Sequence, residues 1–313
     1  MIDLKFDDLE LRKDKKKFNI KFYEISKVSK INMTEKTLSR IKDCGTFLEF
    51  LSDKEYKKFK LSGANFCDNR FCPNCNYNAS RKLGIEMSIM CKYIVEKYNY
   101  NFIFLTLTAP NVDKNNLGAE LVSYYESFKK LFKSKEVKKI SRGYIRKLEI
   151  TYNSNRDDFH PHYHVLIAVD KSYFTSRDYI SRKKWLELWQ RSKNDYSITQ
   201  VDVRKVKSDE LINSLLELSK YLSKDSDYLF SKEVFEVFYK NLKGKRYIAF
   251  SECFREARTK YKNGELDYLK EVDNTEYIYK IYYIWRNSDY DLKQVIELSE
   301  EEKEKYQGNF FEM

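Results

Sequence analysis

The hydrophobic pattern of the chain changes period along its length, and the changes outline a fold. Residues 101–108 (NFIFLTLT) are dense in aromatic and aliphatic side chains and end at Ala109-Pro110, which predicts a buried strand. Leu121, Tyr125, Phe128 and Phe132 recur at helical spacing. Residues 144–152 read as a strand, 153–159 as a polar hairpin loop and 162–169 as a second strand. A helix is expected over 176–191, with Trp185 and Trp189 on one face, then a strand where Thr199, Val201 and Val203 alternate with polar residues. Another helix should run from Ser208 or Asp209, either of which can cap it, to Lys224. Strand-helix-strand-strand-helix-strand is the ferredoxin-like order. It predicts an α+β fold: an antiparallel sheet with its first and third strands central, helices on one face, and a further helix closing the unit.

The flanks are less regular. The first forty residues are polar, with a basic run at Arg12, Lys13, Lys15, Lys16 and Lys17, and read as an arm or small subdomain. A helical pattern covers 78–98. Beyond Phe230 the pattern predicts helix, then a mixed aromatic-rich piece around 277–285, then an acidic stretch with Glu297, Glu300, Glu301 and Glu302 that reads as a solvated terminus. The expected organisation is a basic arm over 1–43, a cysteine-rich module and helix over 44–99, the sheet core over 100–230 and a mixed extension over 231–313.

Composition narrows the class. With 313 residues, 42% apolar and 34% charged, and only 8 Gly and 3 Pro, the chain can bury a substantial core and is not a disordered sequence. The formal charge of +11 suits a polyanionic partner, although a lysine-rich composition accounts for it equally well. Residues 1–19 lack the apolar core of a signal peptide, and no apolar run approaches bilayer-spanning length. The expected location is therefore the cytoplasm, with no membrane partner, where six reduced cysteines favour metal binding over disulfides.

All three histidines of the protein fall within five residues: His160, His162 and His164, in FHPHYHVLIAV. Alternate residues of a strand share a face and start roughly 6.5–7 Å apart, so two imidazoles can converge on one ion. Glu149, across the hairpin, is the first choice for a third ligand. His160 is the second, because Pro161 disturbs the strand there. With every histidine spent at one place, none remains to serve a serine or cysteine nucleophile elsewhere, which excludes triad hydrolysis.

On the helix after the last strand, Leu211, Leu215, Leu218 and Leu222 form a core stripe, while Glu217, Tyr221, Lys224 and Tyr228 form a second stripe on a non-core face. At a phosphodiester, Tyr221 can attack phosphorus, Lys224 can steady phosphate charge and Glu217 can act as a general base. By spacing alone such a stripe is usually an ordinary solvated face. Cys67-x4-Cys72-Pro73-x-Cys75 supplies three thiols at short spacing. With a fourth, Cys44 or its competitor Cys91, they would close a structural zinc site. Cys253 is remote.

These residues together resemble the HUH endonucleases and, within them, the rolling-circle replication initiator (Rep) proteins of small Gram-positive plasmids. FLTLT at 104–108, HPHYH at 160–164 and ELSKYLSKDSDYL at 217–229 stand in that family's motif order, and the resemblance covers roughly 44–261. It implies an HUH core (βαββαβ plus a catalytic helix) with magnesium or manganese at the histidines. It further implies that Tyr221 nicks single-stranded plasmid origin DNA and stays on the 5′ phosphate, and that the free 3′ hydroxyl primes synthesis. Glu217 would activate the terminating water, as in the branch that pairs one tyrosine with a glutamate, and Tyr228 is an alternative nucleophile. A host helicase and polymerase are the implied partners. A conjugative relaxase or HUH-type transposase would share this chemistry. A zinc-containing nucleic-acid-binding protein without catalysis would keep only the charge and the cysteines.

Overall fold

The computed structural model describes residues 6–207, 210–219 and 224–307, without the side chains of 225 and 226. In chain order its elements are α1 (Asp7–Val28), α2 (Glu35–Asp43), β1 (Phe47–Asp53), β2 (Phe59–Ala64), α3 (Pro73–Tyr98), β3 (Asn101–Thr108), α4 (Leu117–Lys133), α5 (Lys135–Ile140), β4 (Gly143–Asn153), β5 (Asp158–Val169), α6 (Arg182–Lys193), β6 (Val201–Val206), α7 (Leu211–Ser219), α8 (Asp225–Tyr228), α9 (Lys232–Leu242), β7 (Ile248–Phe250), α10 (Glu252–Lys262), β8 (Tyr277–Arg286), β9 (Asp289–Glu297) and α11 (Glu300–Tyr306). They form two compact units, one of residues 83–228 and 237–269, the other of 1–82, 229–236 and 270–313. The boundaries drawn from composition follow the chain. The units do not, because β8 pairs with β1 from more than two hundred residues away.

The first unit holds a five-stranded antiparallel sheet in the order β6-β3-β5-β4-β7. Its first four strands are the ferredoxin-like set, with β3 and β5 central as the element order predicts. The short strand β7 adds to the β4 edge. One face of the sheet carries Phe102, Phe104, Ile145, Leu166 and Ala168, which pack with Met87 and Met90 of α3, Leu215 and Leu218 of α7, and Phe254 and Ala257 of α10. The other face presents Tyr163 edge-on to Tyr124 and Phe128 of α4, and Tyr124 Oη donates to the Pro161 carbonyl at 2.6 Å. Helices therefore cover both faces, not the single face expected. The reason lies in the sequence: residues 102–105 and 165–169 are apolar without alternation, so both sides of the central strands need cover.

β5 starts at Asp158, four residues earlier than the sequence suggested, and runs through Pro161 without a break. Phe159 exchanges both backbone bonds with Val112. Two residues on, the ring nitrogen of Pro161 faces the same side, past the end of β3, where no ladder amide is needed. The strand expected from Thr199 begins at Val201.

Leu211, Leu215 and Leu218 pack toward the sheet as expected. Ser208, Asp209, Tyr221 and Leu222 lie outside the described residues. Lys224 is exposed and not helical; its carbonyl accepts the amides of Asp227 and Tyr228 and starts α8. Lys224 and Tyr228, read on one helix with Glu217, are thus not on α7. Tyr228 is buried, against Phe238.

The second unit contains a four-stranded antiparallel sheet, β2-β1-β8-β9. The stretch read as a basic arm is largely helical: α1 buries Leu9, Phe22 and Ile25, and with them Arg12 and Lys16 of the basic run. The aromatic piece at 277–285 is β8, the central partner of β1. The acidic stretch opens α11, where Ser299 and Glu302 form a capping box and Glu300, Glu301 and Glu302 occupy the first turn. Acids there complement the helix dipole. Among the described residues no helix is long and apolar enough to cross a membrane.

Candidate metal centre and active site

Three neighbouring strands change character at the same level on one face of the five-stranded sheet. On β3, Phe102 and Phe104 give way to Thr106 and Thr108. On β5, Ala168 and Leu166 give way to His164, His162 and His160. On β4, Ile145 gives way to Lys147, Glu149 and Thr151. The register aligns them, because Thr106 and Lys147 flank His164, Thr108 and Glu149 flank His162, and Thr151 faces His160. Directly opposed residues in an antiparallel ladder share a face, so the polar ends of three strands make one patch beside an apolar floor.

Within this patch the ligand atoms of Glu149, His162 and His164 all lie within 4.8 Å of one another. Glu149 Oε2 is 3.2 Å from His164 Nε2 and 3.8 Å from His162 Nε2. His160 stacks obliquely beside His162, ring centroids 5.3 Å apart, and is not part of the convergent group. Burial, and next the neighbouring His164, hold the His162 pKa down to about 4, so its ring is neutral near pH 7 and offers a lone pair. Burial would raise the Glu149 carboxyl, but the hydrogen bond from His164 and the charge of Lys147 outweigh it and bring it to about 2. Two imidazoles and one carboxylate are a donor set suited to a divalent ion.

Several residues that sequence reasoning missed surround this group. Lys147, fully buried, places Nζ 3.7 Å from Glu149 Oε2 and donates to the Glu217 carbonyl at 3.1 Å. Arg204 on β6 pairs with Glu217 at 3.0 Å and lies over the Phe104 ring. The signal was available in part. Lys147 stands two residues from Glu149, and Thr106 lies inside FLTLT, so strand alternation puts both on the site's face. Glu217 Oε1 is 3.0 Å from His164 Nδ1, which joins α7 to the histidine patch. Tyr221 lies outside the described residues.

The second unit carries the four-cysteine group. Cys44, Cys67, Cys72 and Cys75 converge, with Sγ separations of 3.5 Å (Cys44–Cys72), 3.6 Å (Cys44–Cys75) and 3.6 Å (Cys67–Cys75). Four thiolates around a tetrahedral zinc would stand about 3.8 Å apart, so the residues fit such an ion. Cys44, not Cys91, completes the set; Cys91 is buried in the apolar core of the other unit. Cys72 precedes Pro73, the first residue of α3, and Cys75 sits in that helix's first turn, where the dipole favours thiolate. The amides of Cys67 and Asn19 reach Cys44 and Cys72 sulfurs at 3.4 Å each. Lys16 donates to the Cys44 carbonyl at 2.7 Å, to the Lys42 carbonyl and to Asn19. Gly45 is required beside it: its φ is +69°, and an added Cβ would lie 2.6 Å from the Asn74 amide nitrogen.

The fold and its two centres define an α+β protein with a ferredoxin-like core of the HUH kind, one Glu/His/His group and one four-cysteine group. Comparison with known proteins narrows this. A replication protein family matches residues 58–292, and the chain belongs to that family. It is 46% identical over 226 residues to a "Protein rep" of Staphylococcus aureus, covering 72% of this chain and 97% of that one. It is 34% identical over 274 residues to a "Protein rep" of Streptococcus pneumoniae serotype 2 (strain D39 / NCTC 7466), covering 84% of each. A third "Protein rep", from Bacillus sp, is 37% identical over 218 residues, or 64% of this chain and 70% of that protein. No solved structure matches the chain.

Proposed function

We propose that this protein initiates rolling-circle replication of a plasmid in the cytoplasm by nicking one strand of the origin. Tyr221 is the nucleophile. Its phenolic oxygen bonds to the scissile phosphorus as the 3′ oxygen leaves, giving a 5′-phosphotyrosyl protein and a free 3′ hydroxyl that primes the polymerase. Lys224 steadies phosphate charge, and Glu217 activates the water that releases the protein at termination. Glu149, His162 and His164 would hold magnesium or manganese, which supplies polarisation of the scissile phosphate when bound. Zinc at Cys44, Cys67, Cys72 and Cys75 has a structural role. Plasmid origin DNA, single-stranded at the nick, is the substrate, and a host helicase and polymerase complete the machinery.

The observation that carries this reading is the convergence of Glu149, His162 and His164 at the polar end of the sheet, within reach of α7. The helix α7 leads into the Tyr221 segment, in a chain of the replication protein family. Burial of Tyr228 disfavours it as the alternative nucleophile. A relaxase or transposase would use the same centre, and the family favours the replication role. The test is incubation with a single-stranded origin oligonucleotide and Mn2+. An SDS-stable adduct is expected for the wild type and for Tyr228→Phe, and none for Tyr221→Phe. Mass spectrometry should place the nucleotide on Tyr221. Binding without an adduct on any origin strand would leave the non-catalytic zinc protein as the better account.

A further inference from the structure

Glu217 is engaged at both carboxylate oxygens in a way its position before Tyr221 does not foretell. Oε1 is 3.0 Å from His164 Nδ1 and Oε2 is 3.0 Å from the Arg204 guanidinium, while its backbone carbonyl accepts from Lys147. The opposite nitrogen of the same ring, Nε2, faces Glu149 Oε2 at 3.2 Å. Both ring nitrogens therefore face a carboxylate that can only accept; once an ion takes the Nε2 lone pair, the proton can sit only on Nδ1, beside Glu217. Thr106 Oγ1 is the other neighbour of Nδ1, at 3.4 Å, a longer and uncharged contact.

We propose that Glu217 is a positioning residue for the metal ligand His164. By accepting the Nδ1 proton it fixes the tautomer that leaves the Nε2 lone pair facing Glu149 and His162, holds the ring's orientation and raises its basicity. Arg204 holds Glu217 in turn. The proposal rests on reading Glu149, His162 and His164 as a divalent-ion site. It changes the account of Glu217 as a base. A carboxylate held by an imidazole N–H and a guanidinium is a weaker base, so Glu217 is expected to release His164 before it serves at termination. The two roles alternate in time.

Two measurements on the full chain without DNA test this. The first is Mn2+ binding by titration calorimetry for the wild type, His164→Ala, Glu217→Ala and Glu217→Gln. Glu217→Ala is expected to weaken Mn2+ by about 10- to 100-fold. Glu217→Gln keeps an acceptor oxygen for Nδ1–H and is expected to lose less than about 5-fold. The second is long-range 1H–15N correlation of the protein saturated with Mg2+, which resolves readily with only three histidines. A downfield, slowly exchanging Nδ1–H of His164 is expected in the wild type and in Glu217→Gln, and lost in Glu217→Ala, with unchanged far-UV circular dichroism. Wild-type Mn2+ affinity in both Glu217 variants would overturn the positioning role and leave the metal site intact, as would equal losses in both. A wild type that binds no Mn2+, or a His164→Ala that binds as well as it, would overturn the metal reading and the inference with it.

Discussion

Glu149 stands directly opposite His162 in the β4–β5 ladder, with its Oε2 3.8 Å from that residue's Nε2. A one-residue slip of either strand would send the carboxylate to the far face. The apolar residues flanking the site, Ile145 opposite Leu166 and Ile150 opposite Pro161, hold the register by staying buried on their own sides. The Glu/His/His group is therefore placed by packing on both faces of the sheet.

His160 and His162 should separate cleanly in metal binding. His160 faces Thr151, one step beyond the convergent group, while His162 is inside it. His162→Ala is expected to abolish measurable Mn2+ binding and the thermal stabilisation that Mn2+ gives, about 2.7 kcal/mol at one hundred times the dissociation constant. His160→Ala should keep both within a few-fold. Melting curves with and without Mn2+ check this, and equal losses in the two variants would make His160 the third ligand in place of Glu149.

Lys16 is almost wholly buried, with its ammonium between two backbone carbonyls and Asn19 beside the four cysteines. Four thiolates around a divalent ion leave two negative charges, and Lys16 is the buried cation that faces them. Burial pushes its pKa down, opposed by Cys44 and Cys72. Lys16→Met removes the countercharge from a low-dielectric site and should cost about 3 kcal/mol. It should also speed zinc loss to a chelator severalfold. Zinc retention unchanged from the wild type would show that the charge is balanced elsewhere.

Apolar density and strand alternation made much of the core legible: the NFIFLTLT strand, the histidine strand and their partner carry their pattern in consecutive residues. Cys67, Cys72 and Cys75 were legible because short thiol spacing has few other uses, whereas the fourth position lay open between Cys44 and Cys91 until the fold brought Cys44 to the group. What stayed hidden depends on contacts distant in sequence. Nothing in 47–64 announces β1 and β2, since β1 is completed by β8, and nothing near Lys16 announces the cysteines it faces. The role of Arg204 depends on β6 lying beside β3 and α7 crossing nearby, which local periodicity does not encode.

Trp189 ties α6 to the end of β3. It is fully buried, and its indole N–H donates to the Thr108 carbonyl at 2.7 Å. Trp189→Phe removes both the volume and the donor, leaving a carbonyl short of a partner beside the His162 level of the sheet. The expected loss is about 2–4 kcal/mol. Urea unfolding at unchanged slope measures it, and a shift below about 0.5 kcal/mol would mean that the site relaxes around the smaller ring.

Glu256 on α10 gathers three donors from α3: Tyr93 Oη at 2.8 Å, Lys97 Nζ at 2.6 Å and Tyr98 Oη at 2.6 Å. The hydrogen bonds from Lys97 and Tyr98 hold its pKa down at about 2, against an ordinary 4.5. A folded pKa below the unfolded one means that the folded state favours the ionised carboxylate. Its contribution is complete above about pH 4.5, declines as pH falls toward 2 and is gone below that. The side chain is 38% exposed, so solvent screening reduces the contribution to about 1 kcal/mol. Wild type and Glu256→Gln should therefore differ by that amount at pH 6 to 7 and converge near pH 2, in denaturant titrations at constant ionic strength. A difference that grows as the pH falls would reverse the assigned sign, and one that is flat from pH 7 to 2 would mean that the neutral hydrogen bonds, not the charge, hold α10 to α3.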